Sequence, residues 1–369
     1  MKRRMLYLGA LLAVLMVGML SGCGSDSGDG SGTVIPVRPG TAFVATTDFK
    51  TGGYAVVDLD TLDVQTFQGG GIVESDNAVA YYGGAIYVIN RKDFDNITVL
   101  DPADVSKAER QFSTGNGTNP HSMAFASAEK AYVSLYGADY LLILDPSTGK
   151  EIGRIDLSAY ADDDGIPEAS PMVLVDGKLY VALQRLDRNN WFTPTGTSYV
   201  IVVDTSADRV VASIELTGTN PQYMRYDEVM GRIVVSETGS YGIQDGGLET
   251  VDPATGVAEG FFITEAQAGG DVGDFAVVGE KVYVVVTDAS WKNDVAVFVK
   301  TEGSWGKAGT LGTSGAFIPS LAVDRSDRLL VPDRDTENPG LRIYDTTTDQ
   351  EVEGSPVDVG LPPNAIAVF

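Results

Sequence analysis

The chain contains one histidine, His121, and one cysteine, Cys23, so chemistry that needs either residue has a single place to occur. An imidazole titrates near neutrality and can act as a general base or a metal ligand. For hydrolysis it would need a nucleophile on one side and a carboxylate such as Asp274 on the other. No Gly-x-Ser-x-Gly segment surrounds any serine, so the nucleophile elbow of the α/β-hydrolases is missing. His121 and Asp274 are the catalytic candidates, against the alternative that His121 is a hydrogen-bonded structural residue.

His121 also belongs to a series. Similar short apolar segments begin with Asn77, His121, Gln222, Asp274, Ser320 and Asn364, and Met172 breaks the pattern. Between other segments run polar loops, among them NRKDFDN from Asn90, QRLDRNNWFTPTG from Gln184, ETGSYGIQDG from Glu237, TDASWKND from Thr287 and DRDTENPG from Asp333. They concentrate the scarce cations and exposed-type aromatics, the residue types that dominate binding hot spots. The expected ligand-binding face is therefore Arg91, Lys92, His121, Arg185, Arg188, Trp191, Gln222, Trp291 and Arg334. The alternative is that these side chains form salt bridges with their many acidic neighbours.

Residue counts exclude several chemistries. Copper and haem sites built on imidazoles need several histidines, and disulfides, Cys-based zinc sites and iron–sulfur clusters need several cysteines. LDPSTGKEIGRI resembles a quinoprotein dehydrogenase repeat, but Ile155 stands where that repeat carries a docking Trp. No cofactor is expected. The acidic stretches ADDDG from Ala161 and DRDTEN from Asp333 offer oxygen ligands for calcium but lack EF-hand spacing, so no metal site is assigned. The formal charge of −25 disfavours nucleic acid and bare anionic membrane.

The elements that must position these residues are short strands. Glycine is abundant, at 43 residues, and Val, Tyr, Thr and Ile recur in short runs, which is the composition of many strands joined by tight turns. One unit recurs: YAVVDLDTLDV, ITVLDPADV, YLLILDPSTGKEI, YVIVVDTSADRVV, LETVDPATGVA and LRIYDTTTDQEV, with a degenerate copy, VAVFVKTEGSW, that places Lys300 at the Asp position. In the Asp-Pro-x-Thr-Gly turns the Asp side chain caps the turn, Pro presets φ and Gly takes positive φ. A four-strand repeat of roughly 45 residues is the signature of propeller blades. Both series number seven, so the fold expected is an all-β, seven-bladed β-propeller of four-stranded antiparallel blades. Its first blade lacks an inner strand, which Asn364 to Phe369 would supply, closing the ring.

NPHSMAF, KAYVSL, LLILDPSTG, TNPQYMRY and KVYVVV resemble the YVTN-type seven-bladed propellers, secreted and periplasmic repeat proteins, over residues 41–369. That resemblance implies the fold; function does not follow from it. At the other end, Met1 to Arg4 is basic, Met5 to Leu20 apolar, and the run closes on LSGC, which is similar to the lipobox of bacterial lipoproteins. The domains expected are a lipoprotein signal peptide (1–22), a lipidated Cys23 with a Gly/Ser/Asp tether (23–40) and the propeller (41–369). Gly24 after the cysteine points to the outer membrane. The expected role is an envelope- or surface-anchored, monomeric binding or scaffold module whose propeller face takes a protein, glycan or small ligand. It touches the membrane through its lipid alone. The alternatives are a lactonase-like hydrolase at the channel mouth and a purely structural envelope component.

Overall fold

The computed structural model describes residues 35–369; the leader, Cys23 and the GSDSGDGSG tract lie outside the described residues. Seven four-stranded antiparallel sheets form the ring. Blade 2 shows the pattern: Asn77–Tyr82 is innermost, followed outwards by Ala85–Asn90, Asn96–Leu100 and Arg110–Ser113. Its register aligns Asn77 with Asn90, Asn90 with Asn96 and Asn96 with Ser113. The start of each inner strand therefore shares one face with the second-to-third loops, while the third-to-fourth turns lie on the opposite face.

Blade 1 is assembled from both ends of the chain. Thr41–Thr47, Gly52–Asp58 and Val64–Gln68 are joined by Pro363–Val368, whose Ile366 lies opposite Val44 and Val368 opposite Ala42. Closure removes an open sheet edge. The chain before Thr41 also packs here, with Ile35 and Val37 in the apolar cluster between blades 1 and 2. Seven such clusters fill the contacts between neighbouring blades, and the one between blades 7 and 1 includes Leu341, Ile343, Ile366 and Val368. Each large side chain buried there stabilises the ring by about 1.5–3 kcal/mol.

The turns follow their sequence. In blade 3, Asp145 Oδ1 accepts from Ser147 N at 2.8 Å, Oδ2 accepts from Thr148 Oγ1 at 2.8 Å, and Gly149 closes the turn at φ +72°. Lys300 is tolerated because Glu302 and Gly303 (φ +51° and +84°) make a two-residue hairpin that needs no Asp cap. The Lys-x-Tyr strand openings reach the next blade. Lys130 Nζ and the Tyr132 hydroxyl both meet Asp208 in the blade 4 turn, and Lys281 and Tyr283 meet Asp349 in blade 7 in the same way. Adjacent blades are thus tied by charge and hydroxyl as well as by apolar contact.

Candidate functional site at the channel mouth

The inner strands begin around a cavity of about 560 Å³ to which every blade contributes. Asn77, His121, Gln222, Asp274, Ser320 and Asn364 all line it, together with Arg91, Ser170, Tyr223 and Arg225. Val79, Ile89, Met123, Leu321 and Ile366 supply apolar wall, and exposed Phe49 and Phe317 stand at the rim. In blades 3, 4 and 5 the chain enters the inner strand through a left-handed residue, Asn119, Glu168 and Asn220, with φ between +47° and +55°. That shared bend puts Ser170 at the level of His121 and Gln222. Met172 sits two residues further along its strand, so the interruption of the polar series at Met172 is a register error of two positions and Ser170 completes the ring.

His121 stacks on Tyr136, with ring centroids 4.3 Å apart and planes 11° from parallel. Its Nδ1 lies 3.0 Å from Ser170 Oγ. Burial, then the nearby charges of Arg91 and Arg188, hold its pKa well below the usual value, so the ring is neutral at pH 7. The expected partnership of His121 with Asp274 is not formed. Asp274 is buried and binds the Arg225 guanidinium through both oxygens. It also accepts from Phe275 N at 2.8 Å and Leu321 N at 2.7 Å. A carboxylate with these four donors is structural. Arg225 is the residue that sequence reasoning missed; its signal was a cation inside the apolar inner strand QYMRY.

The other expected binding residues separate into four groups. Arg91 lies on the cavity wall, held by Asp76 Oδ1 through Nε at 2.8 Å and Nη2 at 2.6 Å, and Lys92 is exposed beside it. Gln222 donates to the Tyr241 hydroxyl at 2.6 Å, and Tyr241 lies 6.2 Å from the 70% exposed Trp291, so this pair extends the mouth outwards. Arg188 lies behind the site. It donates to Glu168 at 2.7 Å and to the carbonyl of Tyr136, bracing the ring on which His121 stacks.

Arg185, Trp191 and Arg334 do not join the mouth. Arg185 donates to Thr197 O at 2.6 Å and borders a separate cavity of about 410 Å³ with Asp162, Asp163, Asp164 and Asp187. Trp191 is 93% exposed on the blade 4 loop. Arg334 is buried and donates to the carbonyls of Thr47, Pro362 and Pro363, which makes it a clamp on ring closure and corrects its assignment to the open face. The acidic stretches are likewise engaged internally, Asp333 by Arg342 at 2.6 Å and Asp162 by Thr195 at 2.8 Å. Among the described residues no group of three or more ligating side chains is arranged for a metal ion.

No family model and no curated protein matches the chain. Solved structures do. A protein from Lactobacillus plantarum superposes with a TM-score of 0.65 at 15% identity, covering 89% of this chain and 99% of its own. A candidate 6-phosphogluconolactonase from Bacteroides fragilis gives 0.65 at 14% identity, with 89% and 97% covered. Hydrazine synthase from Kuenenia stuttgartiensis gives 0.62 at 15% identity, with 78% and 87% covered. At such identities the likeness shows the propeller fold and nothing about chemistry.

Proposed function

We propose that this protein is a lipid-anchored receptor of the bacterial cell envelope that captures a small polar ligand in the mouth of its channel. The cavity of about 560 Å³ carries the reading, because its size is that of a small-molecule site and all seven blades converge on it. Its polar side chains are already held by neighbouring inner strands. Ser320 donates to Asn364 O at 3.0 Å, and Asn364 Nδ2 donates to Asn77 O at 3.0 Å. Little ordering remains to be done when a ligand arrives. The anchor and envelope location rest on the LSGC run behind its apolar leader and on the polar tract that follows.

A hydrolase reading rests on one contact, Ser170 Oγ to His121 Nδ1 at 3.0 Å. A neutral imidazole there can accept the hydroxyl proton as Oγ attacks a carbonyl carbon. Against it, among the described residues no carboxylate orients the imidazole, since Asp274 is committed to Arg225.

The full-length, exported protein should be screened against a metabolite panel by thermal shift, with hits followed for both affinity and turnover. Gln222→Ala is expected to weaken a hit by about tenfold or more, while Trp191→Ala leaves it unchanged. A hit that needs Trp191 and ignores Gln222 would move the site to the blade 4 loop and end this reading. Turnover that Ser170→Ala abolishes while binding persists would replace capture by hydrolysis. Cys23→Ala is expected to move the protein from the membrane to the soluble fraction; a variant that stays with the membrane would remove the anchor.

A further inference from the structure

We propose that the ligand taken at the mouth is a small organic anion, a carboxylate or phosphate ester, whose charge is met by Arg91. The inference rests on the small-ligand reading above and adds the ligand's chemical class.

The charges on the cavity wall run against those of the whole chain. The protein carries a formal −25, yet the ionised side chains lining the cavity are Arg91, Arg225 and Asp274. Arg225 and Asp274 neutralise each other. The acceptor directions of Asp274 are filled by the guanidinium and by two backbone N–H groups, so among the side chains lining the cavity a cation would find no free carboxylate.

Arg91 is different. Asp76 takes its Nε and Nη2 through a single oxygen and holds the guanidinium in place. Nη1 has no hydrogen-bond partner among the described residues, and the side chain remains 30% exposed. A fixed guanidinium with an open donor edge suits carboxylate and phosphate oxygens. The lowered pKa of His121 is consistent with a positive field here, because Arg91 and Arg188 both add to the effect of burial. The neutral imidazole leaves Arg91 as the cation available to a ligand. Aliphatic wall from Val79, Ile89, Met123 and Ile366 favours an organic scaffold over a bare inorganic ion.

As the only histidine, His121 gives a single pair of imidazole nitrogen signals and so reports on this cavity alone. The full-length protein, labelled with nitrogen-15, should be titrated with glucose, glucuronate and glucose 6-phosphate at constant ionic strength. The two anions are expected to shift the His121 signals saturably and at least about tenfold more tightly than glucose. Which anion binds better separates a carboxylate from a phosphate ligand. Arg91→Gln should erase the preference for the anions, and Arg91→Lys, which keeps the charge, should retain most of it. Glucose binding as tightly as its anionic relatives, or a preference unchanged in Arg91→Gln, would overturn the inference and leave small-ligand capture standing. If none of the three perturbs His121, the anion assignment fails, and failure of the metabolite screen as well would bring down the capture reading itself.

Discussion

The surface and the interior of the ring hold their acidic side chains by opposite physics. On the turn face, Asp145, Asp204 and Asp345 accept from hydroxyl and backbone groups of their own turns, and these bonds hold their pKa values below the usual range. In the interior layer beneath the mouth face, burial does the reverse. It pushes Glu168 and Glu265 up to about 7. Glu237 rises to about 10, first through burial and then through the neighbouring Glu249. Exposed acids on the mouth-face loops, such as Asp48 and Asp288, behave like the turn acids. Depth decides the charge state, and the face follows from where the deep acids lie. The formal charge therefore overstates the negative field at the cavity wall, where the lining carboxylate, Asp274, is paired with Arg225. An anionic ligand meets less repulsion there than the overall charge implies.

The strongest way to break this contrast is to remove the guanidinium to which a deep acid is bound. Arg225→Ala leaves Asp274 buried without its partner and is expected to cost about 3 kcal/mol in denaturant unfolding. A loss below that of an ordinary surface substitution would mean that Asp274 is not held by this pair.

A second test concerns Glu237, whose carboxyl oxygens are both buried without a hydrogen-bond partner. Gly218 passes so close that a Cβ there would collide with Oε2. Its folded pKa is raised to about 10 from an unfolded value of 4.5, so the fold binds a proton that the unfolded chain releases. The stability this group contributes is complete below pH 4.5 and falls as pH rises towards 10. Glu237→Gln keeps the shape without the titration. Relative to wild type it should gain stability steadily as pH rises through that window, by at most about 1.4 kcal/mol per pH unit. A difference that does not change with pH would show that Glu237 is ionised in the fold.

The smallest effect is expected on the turn face. Asp145 has a lowered pKa, so its contribution is present above pH 3.8 and is lost as pH falls through the folded value. Asp145→Ala should lower the melting temperature slightly at pH 7 and leave it unchanged at acid pH. A larger loss than that of Arg225→Ala would reverse the ranking of surface and interior.

Several parts of this molecule were legible in the chain. The Asp-capped turns and the continuous apolar second strands are local patterns with their own punctuation, so the blades could be counted without knowing their neighbours. The unpaired first blade and the leftover strand at Asn364 required ring closure, which the pairing of Thr41–Thr47 with Pro363–Val368 confirms. The polar series at the inner-strand starts was also visible, because a propeller places equivalent positions of each repeat at equivalent radii.

Sequence alone determined which inner-strand starts line the mouth to within two positions, since repeat phase fixes radius and height; the loop residues were not placed this way. Tertiary structure decided their partners. The link from Asp274 to Arg225 joins residues 49 apart in the chain, as does that from His121 to Ser170. Arg334 reaches Thr47 across 287 positions. Blade-to-blade distance and side-chain direction set these pairings, and neither is encoded in a repeat's own pattern. The same holds for protonation: an aspartate in a turn and a glutamate between sheets look alike in the sequence, and the depth of burial in the folded ring separates them.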